Sequence, residues 1–90
     1  MARSELRHHI KFRRLVRKLD LPAPYVIGLL ETMWQTCYQS GSDLLGDPED
    51  VELASEWPGD PGVFFEAVKA DWLDERDGQW HAHDLWDHCP

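Results

Sequence analysis

The stretch DWLDERDGQWHAH, residues 71–83, predicts a β-hairpin. Asp77-Gly78 is a favoured pair for a two-residue turn, because both turn positions need a positive φ that Asp and Gly tolerate. The short extended runs on either side, residues 71–75 and 79–83, are expected to form the two strands. The rest of the chain then divides into the elements that precede this hairpin.

Four helices are predicted before the hairpin. Two prolines in three residues, Pro22 and Pro24, end the first helix, because proline cannot continue the backbone hydrogen bonds. An Asp-Pro pair precedes each of the last two helices, with Asp as the cap and Pro in the first turn. We expect helices over residues 8–19, 25–38, 48–57 and 61–70, and a short strand over residues 43–45.

The second helix is apolar on nearly every side and is therefore expected to be central and buried. Gly28 within it costs about 1 kcal/mol of helix propensity, and we expect the close approach of another helix to compensate. Cys37, in the same apolar run, is predicted to be a small core residue. Trp34 and Trp57, on apolar helical faces, are expected in the core as well.

Three helices with a short strand between the first and the second of them, followed by a β-hairpin, are typical of a winged helix. The predicted fold class is therefore α+β: a winged helix (helix-turn-helix with a C-terminal β-hairpin) preceded by an extra N-terminal helix. We interpret residues 1–90 as a single winged-helix domain, either complete or the N-terminal domain of a longer protein. Two cysteines form no disulfide framework, no apolar run reaches the ~18 residues of a membrane span, and no signal peptide is recognisable. A cytoplasmic protein without membrane association is expected.

Charge is divided unevenly along the chain. The formal net charge is −8, yet residues 1–19 carry seven Lys or Arg and one acid, whereas residues 20–90 carry two Lys or Arg and sixteen acids. On the first helix, one side is apolar and another is basic. The apolar side consists of Phe12, Leu15, Val16 and Leu19. The basic side consists of Arg7, Lys11, Arg14 and Lys18, with Arg13 and Arg17 beside them.

Several short motifs recur in the order and spacing of a known family. They are Lys11-Phe12-Arg13-Arg14-Leu15, Pro22, Gly28-Leu29-Leu30-Glu31 with Trp34, Gly41-Ser42-Asp43-Leu44, Trp57, Phe65 with Ala67-Val68, Trp72-Leu73, and His83-Asp84 with Trp86. Over about residues 8–86, the chain resembles the N-terminal winged-helix domain of phage replisome-organiser and replication-initiation proteins, which are DnaD-like. The resemblance implies a role in replicating phage or mobile-element DNA, with DNA binding and self-association.

The basic side of the first helix is the candidate nucleic-acid-binding surface. Its residues are Arg7, Lys11, Arg13, Arg14, Arg17 and Lys18, and the partner would be DNA of unknown or no sequence preference. The helix before the hairpin, which usually enters the major groove, carries Asp60, Glu66 and Asp71 against Lys69. The alternative is therefore a protein-interaction or oligomerisation winged helix that does not bind DNA directly. Its partner would be a second copy or another replication protein.

Histidines near the C-terminus are the candidates for a metal site. His81 and His83 would point to one face of a strand, and His88 or Cys89 would add a third ligand type that zinc accepts. No established zinc-binding spacing is present, so ordinary strand residues are the alternative and no metal is expected. No nucleophile stands beside a base in a recognisable motif, and no phosphate-binding glycine loop is present. We therefore expect a protein that is not an enzyme and needs no cofactor.

Overall fold

A computed structural model describes residues 10–83 and Leu85. Its elements, in chain order, are α1 (Ile10–Leu19), α2 (Ala23–Ser40), β1 (Leu44–Gly46), α3 (Pro48–Ser55), α4 (Val63–Val68), β2 (Leu73–Arg76) and β3 (Gln79–Ala82). The fold class is therefore α+β, and the order of the described elements agrees with the sequence-based prediction. The predicted start of the first helix at His8 lies outside the described residues.

The three strands form one antiparallel sheet in the order β1-β3-β2. Asp77 (φ 53°) and Gly78 (φ 77°) join β2 to β3, so the predicted hairpin turn is confirmed. The strands are shorter than predicted, because β2 begins only at Leu73 after a turn that follows α4. β1 lies one residue later than predicted and pairs with β3 across the sheet.

The core lies between the helices and one face of the sheet, with α2 at its centre. Trp34 and Cys37 are buried as predicted. The indole rings of Trp34 and Trp72 lie 6.2 Å apart between ring centroids. Phe65 meets Trp80 edge-to-face at 5.0 Å, which attaches α4 to the sheet.

The ends of α2 and α3 differ from the prediction, and both helices stop at a residue with left-handed backbone angles. α2 begins at Ala23 because Pro24 fits its first turn, and it ends where Gly41 (φ 72°) adopts the left-handed conformation. α3 ends at Ser55, because Glu56 (φ 59°) takes the same conformation. The prediction that Trp57 belongs to this helix is wrong. Trp57 follows the helix and stacks on Phe64, with ring centroids 5.6 Å apart.

The last helix is shorter at both ends than the sequence suggested. The Asp60-Pro61 pair lies in a turn, and α4 begins at Val63 after Gly62 (φ 90°). Glu52 of α3 replaces the expected Asp cap: the backbone N–H of Gly62 donates to its Oε1 (2.9 Å) and that of Phe65 to its Oε2 (3.1 Å). One carboxylate therefore fixes the start of α4 against α3.

Gly28 contradicts the expectation of a close helix contact. An added Cβ at this position would meet no atom within 4 Å. The hydroxyl of Thr32 donates to the Gly28 carbonyl at 2.8 Å, on a partly exposed side of α2. The helix therefore tolerates Gly28 without a compensating contact.

Candidate nucleic-acid interface

α1 is attached to the body of the protein by its apolar side. Phe12, Leu15 and Leu19 are buried, and the helix packs against α4 and α2. Val16 is half-buried at the edge of the same side. The predicted apolar side of this helix is thus confirmed, and the charged positions must occupy the remaining surface.

The basic side chains of α1 are largely exposed. Arg13, Arg14, Arg17 and Lys18 are exposed, whereas Lys11 is half-buried. The remaining predicted residue, Arg7, lies outside the described residues. The helix contains no acidic residue, so five cations project from a segment of ten residues.

One group of these cations lies on the flank that faces α4. Nη1 of Arg14 is 3.8 Å from Oδ2 of Asp71, a long ion pair in which the arginine side chain keeps 57% of its exposure. Such an exposed pair is weak in water. Lys18 borders a shallow cleft of about 550 Å³ together with Pro61 and Glu66, at the start of α4. Arg14 and Lys18 therefore lie next to the two ends of α4.

Arg13 and Arg17 lie on the opposite flank of α1. They line a second cleft, of about 590 Å³, with Val16 and the connection from Asp20 to Ala23. Asp20 has φ 55° and is exposed at the edge of this cleft. The structure therefore divides the predicted basic surface into two groups separated by the exposed ridge of the helix.

Among the described residues outside α1, the Lys and Arg residues are Lys69 and Arg76, and both are engaged in ion pairs. Nζ of Lys69 on the α4 side lies 2.8 Å from Oε1 of Glu66 and 5.8 Å from the centroid of the Phe65 ring. In the hairpin, Nη2 of Arg76 donates to Oδ2 of Asp43 at 2.7 Å. Sequence reasoning missed the second pair, because its partners are 33 residues apart. α4 and the hairpin thus contribute little uncompensated positive charge.

The candidate metal ligands are directed to two different carboxylates. Nδ1 of His81 is 2.9 Å from Oδ1 of Asp43, and Nδ1 of His83 is 3.0 Å from Asp74. Among residues 10–83 and Leu85, no group of three or more His, Cys, Asp or Glu is arranged to hold a metal ion. His88 and Cys89 lie outside this part of the chain. The histidines that are described act as links between strands.

Two ionisable groups near this sheet have altered proton affinities. The hydrogen bond with His81 holds the pKa of Asp43 below its ordinary value, and Arg76 acts in the same direction while partial burial opposes both. Burial raises the pKa of the Cys37 thiol to about 11, with a smaller contribution from the charge of Asp43. A thiol of this kind is unreactive at neutral pH, so Cys37 is a packing residue.

Comparisons with known proteins do not assign the chain to a family. None of the helices in residues 10–83 combines the length and apolar character that crossing a membrane requires. No protein-family description, curated protein or solved structure matches the sequence or the fold. The basic surface of α1 and the charges around it therefore carry the functional argument.

Proposed function

We propose that this chain is a non-enzymatic, DNA-associated winged-helix module of a phage or mobile-element replication protein, with α1 contacting phosphates. The observation that carries the proposal is the basic surface of α1. Arg13, Arg17 and Lys18 are exposed and make no ion pair with any residue in the described part of the chain. Three uncompensated cations on one short helix favour a polyanionic partner.

The arrangement of the elements supports the winged-helix part of the proposal. α3 and α4 form a helical pair directly before the hairpin. β1 precedes that pair and joins the side of β3 opposite β2, so β3 is the central strand of the sheet. α1 is then the additional helix, and it lies against α4.

The distribution of charge supports binding through phosphates rather than through base edges. α4 has six residues, and its neighbouring cation Lys69 is paired with Glu66. An element with so little positive charge is poorly suited to the major groove. Contacts from α1 to the DNA backbone would hold the domain on DNA without selecting a sequence.

Salt dependence of binding tests this proposal. Four phosphate contacts give a slope of log K against log salt of roughly −3.6 between about 50 and 200 mM salt, because each contact releases counterions. Fluorescence anisotropy with a labelled mixed-sequence duplex measures the slope. The double variant Arg14→Gln/Lys18→Gln should reduce its magnitude by roughly 1.8. Arg13→Gln/Arg17→Gln should do the same if DNA covers both flanks.

Arg76→Gln is the matched control, since it removes a cation that Asp43 already holds. We expect its slope to equal that of the unchanged protein. Absence of binding at low salt contradicts the proposal. Equal losses from Arg76→Gln and from the α1 variants contradict the assignment to α1, provided that circular dichroism shows each variant folded.

A second candidate function is oligomerisation without direct DNA contact. It is favoured because Lys69, next to α4, and Arg76, in the hairpin, are both paired with carboxylates. Neither region therefore offers an unpaired Lys or Arg to DNA. Light scattering with and without duplex, at low and high salt, separates the two candidates. Self-association raises the mass above 10.5 kDa without DNA, whereas the proposed function raises it only when DNA is present.

A further inference from the structure

A groove on the surface of α3 has no role in the proposed DNA contact. It encloses about 390 Å³ beside the loop that joins α3 to α4. We call this feature the acidic groove. Its apolar lining consists of Pro48, Leu53, Trp57 and Pro61, and its charged rim consists of Glu49 and Glu56. This groove combines an apolar floor with carboxylates at its edges.

Leu53 is the main apolar feature of the acidic groove. Its exposed fraction of 68% is the largest of any large hydrophobic residue in the described chain, although it lies on a regular helix. Trp57 forms a fixed wall, because its Nε1 donates to the carbonyl of Asp60 at 2.9 Å and its ring stacks on Phe64. The groove is therefore pre-formed and can accept an apolar side chain without rearrangement.

The charge around the acidic groove is uncompensated. The chain contains no Lys, Arg or His from residue 19 to residue 68. Glu49 and Glu56 are exposed and make no ion pair within the described residues. Glu49 lies four positions before Leu53 on α3, and Glu56 follows the last residue of the helix. All three line the same groove, which places the apolar contact of Leu53 close to two carboxylates.

We propose that the acidic groove binds a basic amphipathic helix of a partner protein. An apolar residue of that helix contacts Leu53 and Trp57, and Lys or Arg one turn away on each side pair with Glu49 and Glu56. Charge complementarity selects a basic partner over an acidic one. This binding is independent of the phosphate contacts proposed for α1.

A partner helix fits better than α1 of a second copy of this chain. α1 is basic, but its apolar residues Phe12, Leu15 and Leu19 are buried in its own core. A docked second copy would therefore bring cations to the rim without an apolar stripe for the floor. A separate amphipathic helix has both faces available.

A synthetic peptide of Leu and Lys tests the proposal. Leu residues spaced by three and four positions give it one apolar stripe, and a permuted peptide of equal composition serves as the charge-matched probe. The amphipathic peptide should bind at least about tenfold more tightly, because only it presents contiguous apolar area to Leu53. Leu53→Ser should remove this difference. Val63→Ser, which changes another exposed apolar residue outside the groove, should leave it intact.

Charge reversal provides the second arm of the test. Glu49→Lys/Glu56→Lys should weaken peptide binding at least about fivefold. Glu75→Lys/Asp77→Lys is the matched control. Asp77 matches Glu56, because both have a positive φ. Glu75 matches Glu49, because each lies in a regular helix or strand. Equal weakening by the two double variants overturns the proposal.

Two further results also overturn it. Equal affinity for the two peptides would mean that only net charge is recognised. A self-associated form of the protein that Leu53→Ser dissociates in light scattering would assign the groove to a second copy. DNA binding by Leu53→Ser should equal that of the unchanged protein, because this residue lies outside the phosphate contacts proposed for α1. This measurement separates the groove proposal from the DNA proposal.

Discussion

At the scale of single residues, backbone angles decide which glycines the fold needs. Gly28 has helical geometry and open space where a Cβ would lie, whereas Gly41 closes α2 with φ 72°. An L-residue at Gly41 is strained, but one at Gly28 is not. Gly28, inside α2, and Gly41, the residue that ends it, are therefore expected to respond to alanine in opposite directions.

Gly28→Ala should raise the free energy of unfolding by about 0.5 to 1 kcal/mol, because alanine restricts the unfolded chain and favours the helix. Gly41→Ala should lower it by about 1 kcal/mol, because the left-handed conformation is costly for a residue with a Cβ. Urea unfolding followed by circular dichroism measures both values. Destabilisation by Gly28→Ala would show that another element approaches α2 at this position.

At the scale of elements, Glu52 determines how α4 begins. Its two carboxylate oxygens accept the N–H groups of Gly62 and Phe65, which helix geometry otherwise leaves without a partner. Glu52→Ala should cost about 1 to 2 kcal/mol of unfolding free energy, as loss of a helix cap does. Glu52→Gln retains one acceptor oxygen, so its cost should be smaller.

Glu49→Ala is the control for Glu52→Ala, because it removes an exposed carboxylate from the same helix without touching α4. It should change the unfolding free energy by no more than about 0.5 kcal/mol. Hydrogen exchange at the Phe65 amide gives a local measurement. Protection at this amide that survives Glu52→Ala would contradict the cap.

Local signals predicted the elements better than their ends. The Asp77-Gly78 turn and the apolar spacing of Phe12, Leu15 and Leu19 were sufficient, because turn chemistry and helical period are properties of neighbouring residues. The end of α3 was missed, since Glu56 adopts a conformation that usually belongs to glycine. The cap of α4 was missed because its donor and acceptor lie at least ten residues apart.

At the scale of the whole molecule, one carboxylate connects all three strands and makes stability depend on pH. Asp43, which precedes β1, contacts His81 of β3 and Arg76 of β2. Its pKa in the folded protein lies below the ordinary value. Its contribution to stability is therefore fully present above the unfolded-state pKa of about 3.9, and it is lost as the pH falls through the folded-state pKa.

Asp43→Asn should lower the unfolding free energy by about 1 kcal/mol at neutral pH, because both charge-assisted contacts weaken. The difference from the unchanged protein should begin to shrink below about pH 4, where Asp43 is protonated in the unfolded chain. It should shrink further until the pH passes below the lower folded-state pKa of Asp43, where the carboxyl is neutral in both states. Urea titrations across this pH range measure it. Glu75→Gln, on the exposed hairpin, serves as the control. A difference that stays constant with pH would contradict the linkage.

The candidate interface was predicted only in part. Periodicity indicated which residues of α1 would be exposed, and the described ones are exposed apart from Lys11. It did not indicate that Arg13 and Arg17 line one cleft while Lys18 borders another, because that division depends on how α1 packs against α2 and α4. The groove at Leu53 could not be recognised either, since its walls include Trp57 and Pro61 from the following loop.

Glu52 has one more consequence, since it also lies at the edge of the acidic groove. A ligand cation that paired with this carboxylate would compete with the two N–H groups that begin α4, so cation binding at Glu52 would be coupled to the start of that helix. This coupling would be reciprocal: the two N–H groups would weaken cation binding at Glu52 by the same factor by which the cation weakens their hydrogen bonds. A single side chain of this 90-residue protein would then connect the acidic groove to the first turn of α4.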